Sequence, residues 1–146
     1  MFRCAVSVTL LSLLVLPLAS GCGTATGQTG SPQPLISPNG EYVLTVPVHE
    51  SGLPELAGTP VWMVTISHVE GGVVHQDRMS EFPARFQVYW AWGQEGRVWL
   101  YNSDDGSVWY WEDRGDWIKW MWGHGRQREI DYDIWPPEAI YPDYVE

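Results

Sequence analysis

The chain has 146 residues, with 18 acidic side chains against 8 basic ones and a formal net charge of −10. So acidic a protein repels phosphate backbones and anionic headgroups, which argues against nucleic acid as a partner and against adsorption to an anionic membrane surface. Ten Trp, seven Tyr and a hydrophobic content of 45% argue for one folded domain rather than a disordered chain.

The first element is an export signal. "MFRCAVSVTLLSLLVLPLASGC" carries Arg3, then an apolar run from Ala5 to Leu18 that is too short for a spanning helix. Its end, Leu18-Ala19-Ser20-Gly21-Cys22, resembles the lipobox of bacterial lipoproteins. One departure is Ala19 where that pattern has Leu, with Leu18 one step earlier. The resemblance implies cleavage after residue 21 and a diacylglycerol on the Cys22 thiol. It also implies a membrane partner reached through the N-terminal lipid. Gly23 stands where a retention Asp is absent, so the expected location is the outer membrane if the host has one. Cys4 leaves with the signal, so the mature chain keeps no free thiol and no disulfide. Residues 22–37, rich in Gly, Thr, Ser, Gln and Pro, read as the lipidated Cys and a flexible tether.

The domain proper is expected over 38–135. Ser37-Pro38-Asn39-Gly40 is a turn, and 41–48 alternates as a strand with Pro47 near its end. Residues 61–69 give a second strand. Gly71-Gly72 turns the chain into a third over 73–78. Downstream, "QEG", "DDG" and "DRG" separate four apolar runs, each triplet closing on a Gly (96, 106, 115). Three-residue hairpin loops with Gly in the left-handed region predict an antiparallel meander over 84–123. In that register Tyr101 faces Trp109, Trp99 faces Trp111, and Trp111 faces Trp117. One face then holds Val88, Trp90, Val98, Leu100, Tyr110, Ile118 and Trp120 as the core. The other holds Trp99, Tyr101, Trp109, Trp111 and Trp117 beside Arg97 and Lys119. The acidic, Pro-rich tail, 136–146, is expected to follow a short strand over 129–135, and the apolar Ile134, Trp135, Ile140 and Tyr141 want a surface to lie on.

The S-P-N-G-x-Y strand start and the hairpin run resemble single blades of bacterial β-propeller proteins that read S-P-D-G-x-Y. The chain has material for about one and a half blades, fewer than the four or so that closure needs. The fold expected is therefore all-β: an antiparallel meander in a two-layer sandwich or curled sheet with propeller-blade-like hairpins.

For chemistry, the sequence contains no G-x-S-x-G, H-E-x-x-H, P-loop or G-x-G-x-x-G motif. His68 and His75 face each other if Gly71-Gly72 is a two-residue turn, a candidate metal pair with Asp77 as third ligand. The acids of the Asp104-Asp105 and Asp113–Asp116 loops are the candidates for glycan hydrolysis, although Asp in tight turns more often binds its own backbone. The sheet face carrying Trp99, Tyr101, Trp109, Trp111 and Trp117 is the candidate ligand surface, since rings beside polar groups suit a glycan or an envelope protein. The resulting expectation is a lipid-anchored, non-enzymatic binding or accessory module of the cell envelope with no cofactor. The alternatives are an envelope glycan hydrolase and a purely structural lipoprotein.

Overall fold

The computed structural model describes residues 26–29, 33–123 and 134–140. In chain order the strands are β1 (Thr26–Gln28), β2 (Leu35–Ile36), β3 (Tyr42–Thr45), β4 (Val48–Glu50), β5 (Pro60–Trp62), β6 (Thr65–His68), β7 (Val73–Gln76), β8 (Val88–Trp92), β9 (Val98–Asn102), β10 (Val108–Asp113) and β11 (Trp117–Met121), with a 3₁₀ turn at Pro54–Leu56. The fold is all-β. A five-stranded antiparallel sheet in the order β1-β8-β9-β10-β11 packs on a four-stranded one, β2-β3-β6-β7, with β4-β5 as a separate pair.

Local sequence explains most of these elements. Asn39-Gly40 turns the chain into β3: Gly40 has φ of 75°, and the Ser37 hydroxyl accepts from the Tyr42 amide at 2.9 Å. The strand expected over 41–48 ends early, because Pro47 carries no amide to continue the ladder. The strand expected over 61–69 breaks at Met63-Val64, where the chain passes from β5 to β6.

The region expected to be a tether, 22–37, contains two strands. β1 pairs with β8 through Thr26–Ala91, Gly27–Trp90 and Gln28–Tyr89. Gly27 is required there. A Cβ at that position would stand 1.8 Å from Trp90 Nε1, so only glycine lets the strand lie under the indole.

The meander forms where expected, and Gly96, Gly106 and Gly115 all have positive φ. Ala91 faces Trp99 as predicted. The next two registers differ. Val108 faces Tyr101 and Tyr110 faces Trp99, one residue out of the expected register. The cause is a four-residue loop, Ser103–Gly106, in which the Gly106 amide donates to the Asn102 carbonyl at 2.9 Å and the Asn102 amide to the Ser107 carbonyl at 2.9 Å. In the last hairpin Asp113 faces Trp117 and Trp111 faces Lys119, a two-residue offset that leaves side-chain faces unchanged.

Because side chains alternate, the single slip at Ser103–Gly106 exchanges the faces of β10 and β11 relative to β8 and β9. The inner face of the large sheet holds Trp90, Trp92, Leu100 and Trp111, packed against Leu44, Ile66 and Phe82 of the other layer. The outer face holds Ala91, Trp99, Tyr101 and Tyr110. The tail covers that outer face. Ile140 is 2% exposed, Ile134 packs beside it, and the Trp122 indole donates to the Ile134 carbonyl at 2.7 Å. Ile134 and Ile140 thus find the surface their apolarity calls for. The expected strand over 129–135 lies mainly outside the described residues, and Ile134-Trp135 are not strand.

Two substitutions check this arrangement. Trp111→Ala, at a fully buried inner position, should cost about 3–5 kcal/mol, and Trp120→Ala, at a half-buried outer one, clearly less in the same denaturant melts. Gly106→Val should cost about 1–2 kcal/mol, since its φ of 76° disfavours a β-branched residue. An unchanged melting temperature would show that the loop is not built this way.

Candidate functional site

The five aromatics expected on one ligand face occupy two faces. Trp99 and Tyr101 lie on the outer face under the tail, and both are buried. Trp109, Trp111 and Trp117 lie on the inner face, Trp111 fully buried and the other two half-buried. The register brings Trp99 to Tyr110 instead, with ring centroids 5.0 Å apart.

Trp109 and Trp111 enclose a cation of the same chain. Lys119 enters the inner face from β11 with its Nζ 4.7 Å from the Trp109 ring, 4.7 Å from the Phe82 ring and 5.4 Å from the Trp111 ring. The same Nζ makes ion pairs with Asp77, at 2.9 Å, and with Glu81. Buried charge is tolerated here because carboxylates and ring faces replace the water the ammonium loses. The cluster ties β11 of the large sheet to the segment following β7, so it joins the two layers.

His75 lies beside this cluster. It faces Ile66 across the ladder, and its Nε2 is buried with no hydrogen-bond partner. Burial pushes its pKa below the usual 6.5, with Asp77 pulling upward and Lys119 adding to the fall. His68 sits elsewhere. It pairs with Tyr42, and a bulge between Ile66 and Ser67 shifts the ladder so that Ser67 faces Val73. The expected His68–His75 pair across a two-residue turn is therefore not formed. Instead the His68 amide donates to the Gly72 carbonyl at 3.0 Å, closing a longer turn. Asp77, the third residue of that set, is engaged by Lys119, and no group of three His, Cys, Asp or Glu suited to a metal occurs among the described residues.

The turn carboxylates are taken up as acceptors for backbone amides, two within their own turns and one from Gln87. Asp105 Oδ1 accepts from the Ser107 amide at 2.8 Å, Asp113 Oδ1 from the Gly115 amide at 2.9 Å, and Asp104 Oδ2 from the Gln87 amide at 2.6 Å. On the outer face Glu112 is bracketed by Arg97, 3.2 Å away, and by Arg114, 2.6 Å away.

What remains at least partly accessible is a line of rings along one end of the sandwich, His68, Tyr42 and Trp117, backed by the buried Trp92. The half-buried Trp117 stands edge-on to Tyr42 at 5.6 Å and to Trp92 at 6.1 Å. Tyr42 stacks on the exposed His68 at 5.0 Å and 27°. A cleft of about 300 Å³ opens beside Tyr42 and His68, bordered by Glu41 and Glu70. A second, of about 430 Å³, lies between Trp92, the Gln94-Glu95 turn and Trp135, with Glu138 at its border. Of these aromatics, the sequence reading proposed only Trp117 as a ligand contact and His68 as one of a metal pair. The signals for two others were present: the S-P-N-G-x-Y turn sets Tyr42 at a strand start, and Pro136-Pro137 holds the chain beside Trp135 extended.

No family model matches the sequence, and neither a curated protein nor a solved structure is significantly similar to it.

Lys119→Met should cost about 2–4 kcal/mol, because Asp77 is left buried without its counter-charge. Adding Asp77→Leu should recover much of the loss in the same denaturant melt. For His75, the unfolded chain takes up the proton at a higher pH than the folded one. Its contribution to stability is thus present above pH 6.5 and lost as pH falls below it. His75→Phe should therefore flatten the decline in denaturation midpoint between pH 7 and pH 5; an unchanged slope would remove His75 as a cause.

Proposed function

We propose that this chain is an exported envelope protein held at the membrane by a lipid on Cys22, and that it works as a non-enzymatic binding or accessory module. The anchor reading rests on the lipobox-like Leu18–Cys22, which lies outside the described residues. The binding reading rests on one observation: the rings Trp117, Tyr42 and His68 run in contact along one end of the domain, backed by the buried Trp92, with two open clefts beside them. Stacked rings beside carboxylates suit contacts in which apolar faces and polar edges are both used, which is how aromatic surfaces hold partners. The hydrolase alternative is less favoured because Asp105 and Asp113 serve as acceptors inside their own turns and Asp104 accepts from the Gln87 amide.

Metabolic labelling with a fatty-acid analogue tests the anchor. Wild type should incorporate it and Cys22→Ser should not. Equal labelling of both would refute acylation at Cys22. Incubation of the acylated chain with envelope polysaccharide separates module from hydrolase, since turnover of the glycan would contradict the module.

A further inference from the structure

We propose that the partner of this aromatic end is the bilayer that carries the lipid, so that the domain stands on the membrane in one orientation. The proposal rests on acylation of Cys22. Its starting point is chain length. From Cys22 to Thr26 there are four residue steps, which span about 14 Å at most. From Thr26 onward the chain belongs to the sheet, with Gly27 fitted under the Trp90 indole and the Thr29 amide donating to the Val88 carbonyl at 3.1 Å. A lipid on Cys22 thus holds the point where β1 begins close to the headgroups.

The register says which end of the sandwich that is. β1 runs antiparallel to β8, and Thr26 faces Ala91, so β1 begins beside the end of β8 and the turn at Gln94–Gly96. In the meander this end also carries the start of β11, and through the Tyr42–Trp117 contact it carries the start of β3. Six of the eight large exposed apolar side chains among the described residues lie toward that end, Val48 and Met79 being the exceptions past the far ends of β3 and β7. Val69 and Val73 are 47% and 62% exposed on the turn after His68, and Ile36 is 66% exposed next to the Ser37–Tyr42 turn. Trp135, 59% exposed, borders the cleft at Gln94-Glu95 while its ring lies 5.4 Å from Trp122, beyond the far end of β11. The opposite end presents the exposed, polar Ser103-Asp104-Asp105-Gly106 turn, with Val48 and Met79 as its exposed apolar side chains.

Rings with an apolar body and a polar edge are the side chains that settle at the membrane–water boundary. A small apolar contact there adds to acyl anchoring, and a tether this short raises its effective concentration. Glu41, Glu70, Glu95 and Glu138 border the same end, and the exposed turn Asp113–Asp116 adds two carboxylates and Arg114, so the fitting surface is zwitterionic rather than anionic.

The test uses the full acylated chain in vesicles of phosphatidylethanolamine and phosphatidylcholine. Gln94→Cys and Asp105→Cys place a thiol-reactive, environment-sensitive fluorophore at the two ends, since acylated Cys22 offers no thiol. Mass spectrometry first establishes the acyl group, and its absence overturns the anchor reading and the docking with it. With the acyl group present, the label at 94 should shift blue and be quenched by brominated acyl chains, while the label at 105 should do neither. Equal, water-like emission from both positions overturns the docking and leaves the anchor intact. Val73→Ser, an exposed change at the same end, should weaken the quenching at 94 without loss of acylation; undiminished quenching would overturn the role given to that end. Displacement of the 94 label from the vesicle by soluble envelope polysaccharide would assign the end to a glycan instead.

Discussion

The four-residue turn Ser103–Gly106 decides which surface each downstream tryptophan meets. Strand side chains alternate with a period of two, so one extra residue in a hairpin inverts everything after it. The turn is fixed by local bonds: the Asp104 amide donates to Asn102 Oδ1 at 3.1 Å and the Ser107 amide to Asp105 Oδ1 at 2.8 Å. As a result Trp109 and Trp111 join Trp90 and Leu100 on the inner face, and Tyr110 joins Trp99 on the outer. Both faces are then strongly apolar and both need covering. The second sheet covers one and Ile134–Ile140 the other.

The same register brings Lys119 inward. A lysine on an otherwise aromatic face is costly unless every part of its head is matched, and here Asp77, Glu81 and three rings match it. The cluster therefore joins the layers and gives the inner tryptophans a cationic partner from within the chain. His75, with its unpartnered Nε2 at the border of the cluster, makes that junction sensitive to acid.

Much of this architecture was legible in the sequence. Alternation named the strands, Gly96, Gly106 and Gly115 marked the hairpins, and Asn39-Gly40 marked the turn into β3. What could not be read was the length of one loop. "NSDDGS" closes as well with four residues as with three, because Asn102 and Asp105 each offer an acceptor to an amide of the turn. The aromatic surface was misplaced for that reason alone. The His68–His75 pairing failed similarly, through a bulge at Ile66/Ser67 that no residue type announces. Strand β1 was hidden in a Gly- and Thr-rich segment, since its fit depends on a long-range partner, Trp90, that composition does not reveal.

The functional account depends on that hidden strand. On the proposed acylation of Cys22, a chain that passes almost directly into the sheet would bring the end carrying Trp117, Tyr42 and His68 to the membrane. If β1 is loose, the domain swings on a tether and its rings face any direction. Amide hydrogen exchange on the acylated chain measures this most directly at Thr29, whose N–H is bonded to the Val88 carbonyl at 3.1 Å. Protection of the Thr29 amide comparable to that of the β8 amides is the expected result. Exchange at the rate of an unstructured peptide would contradict the account.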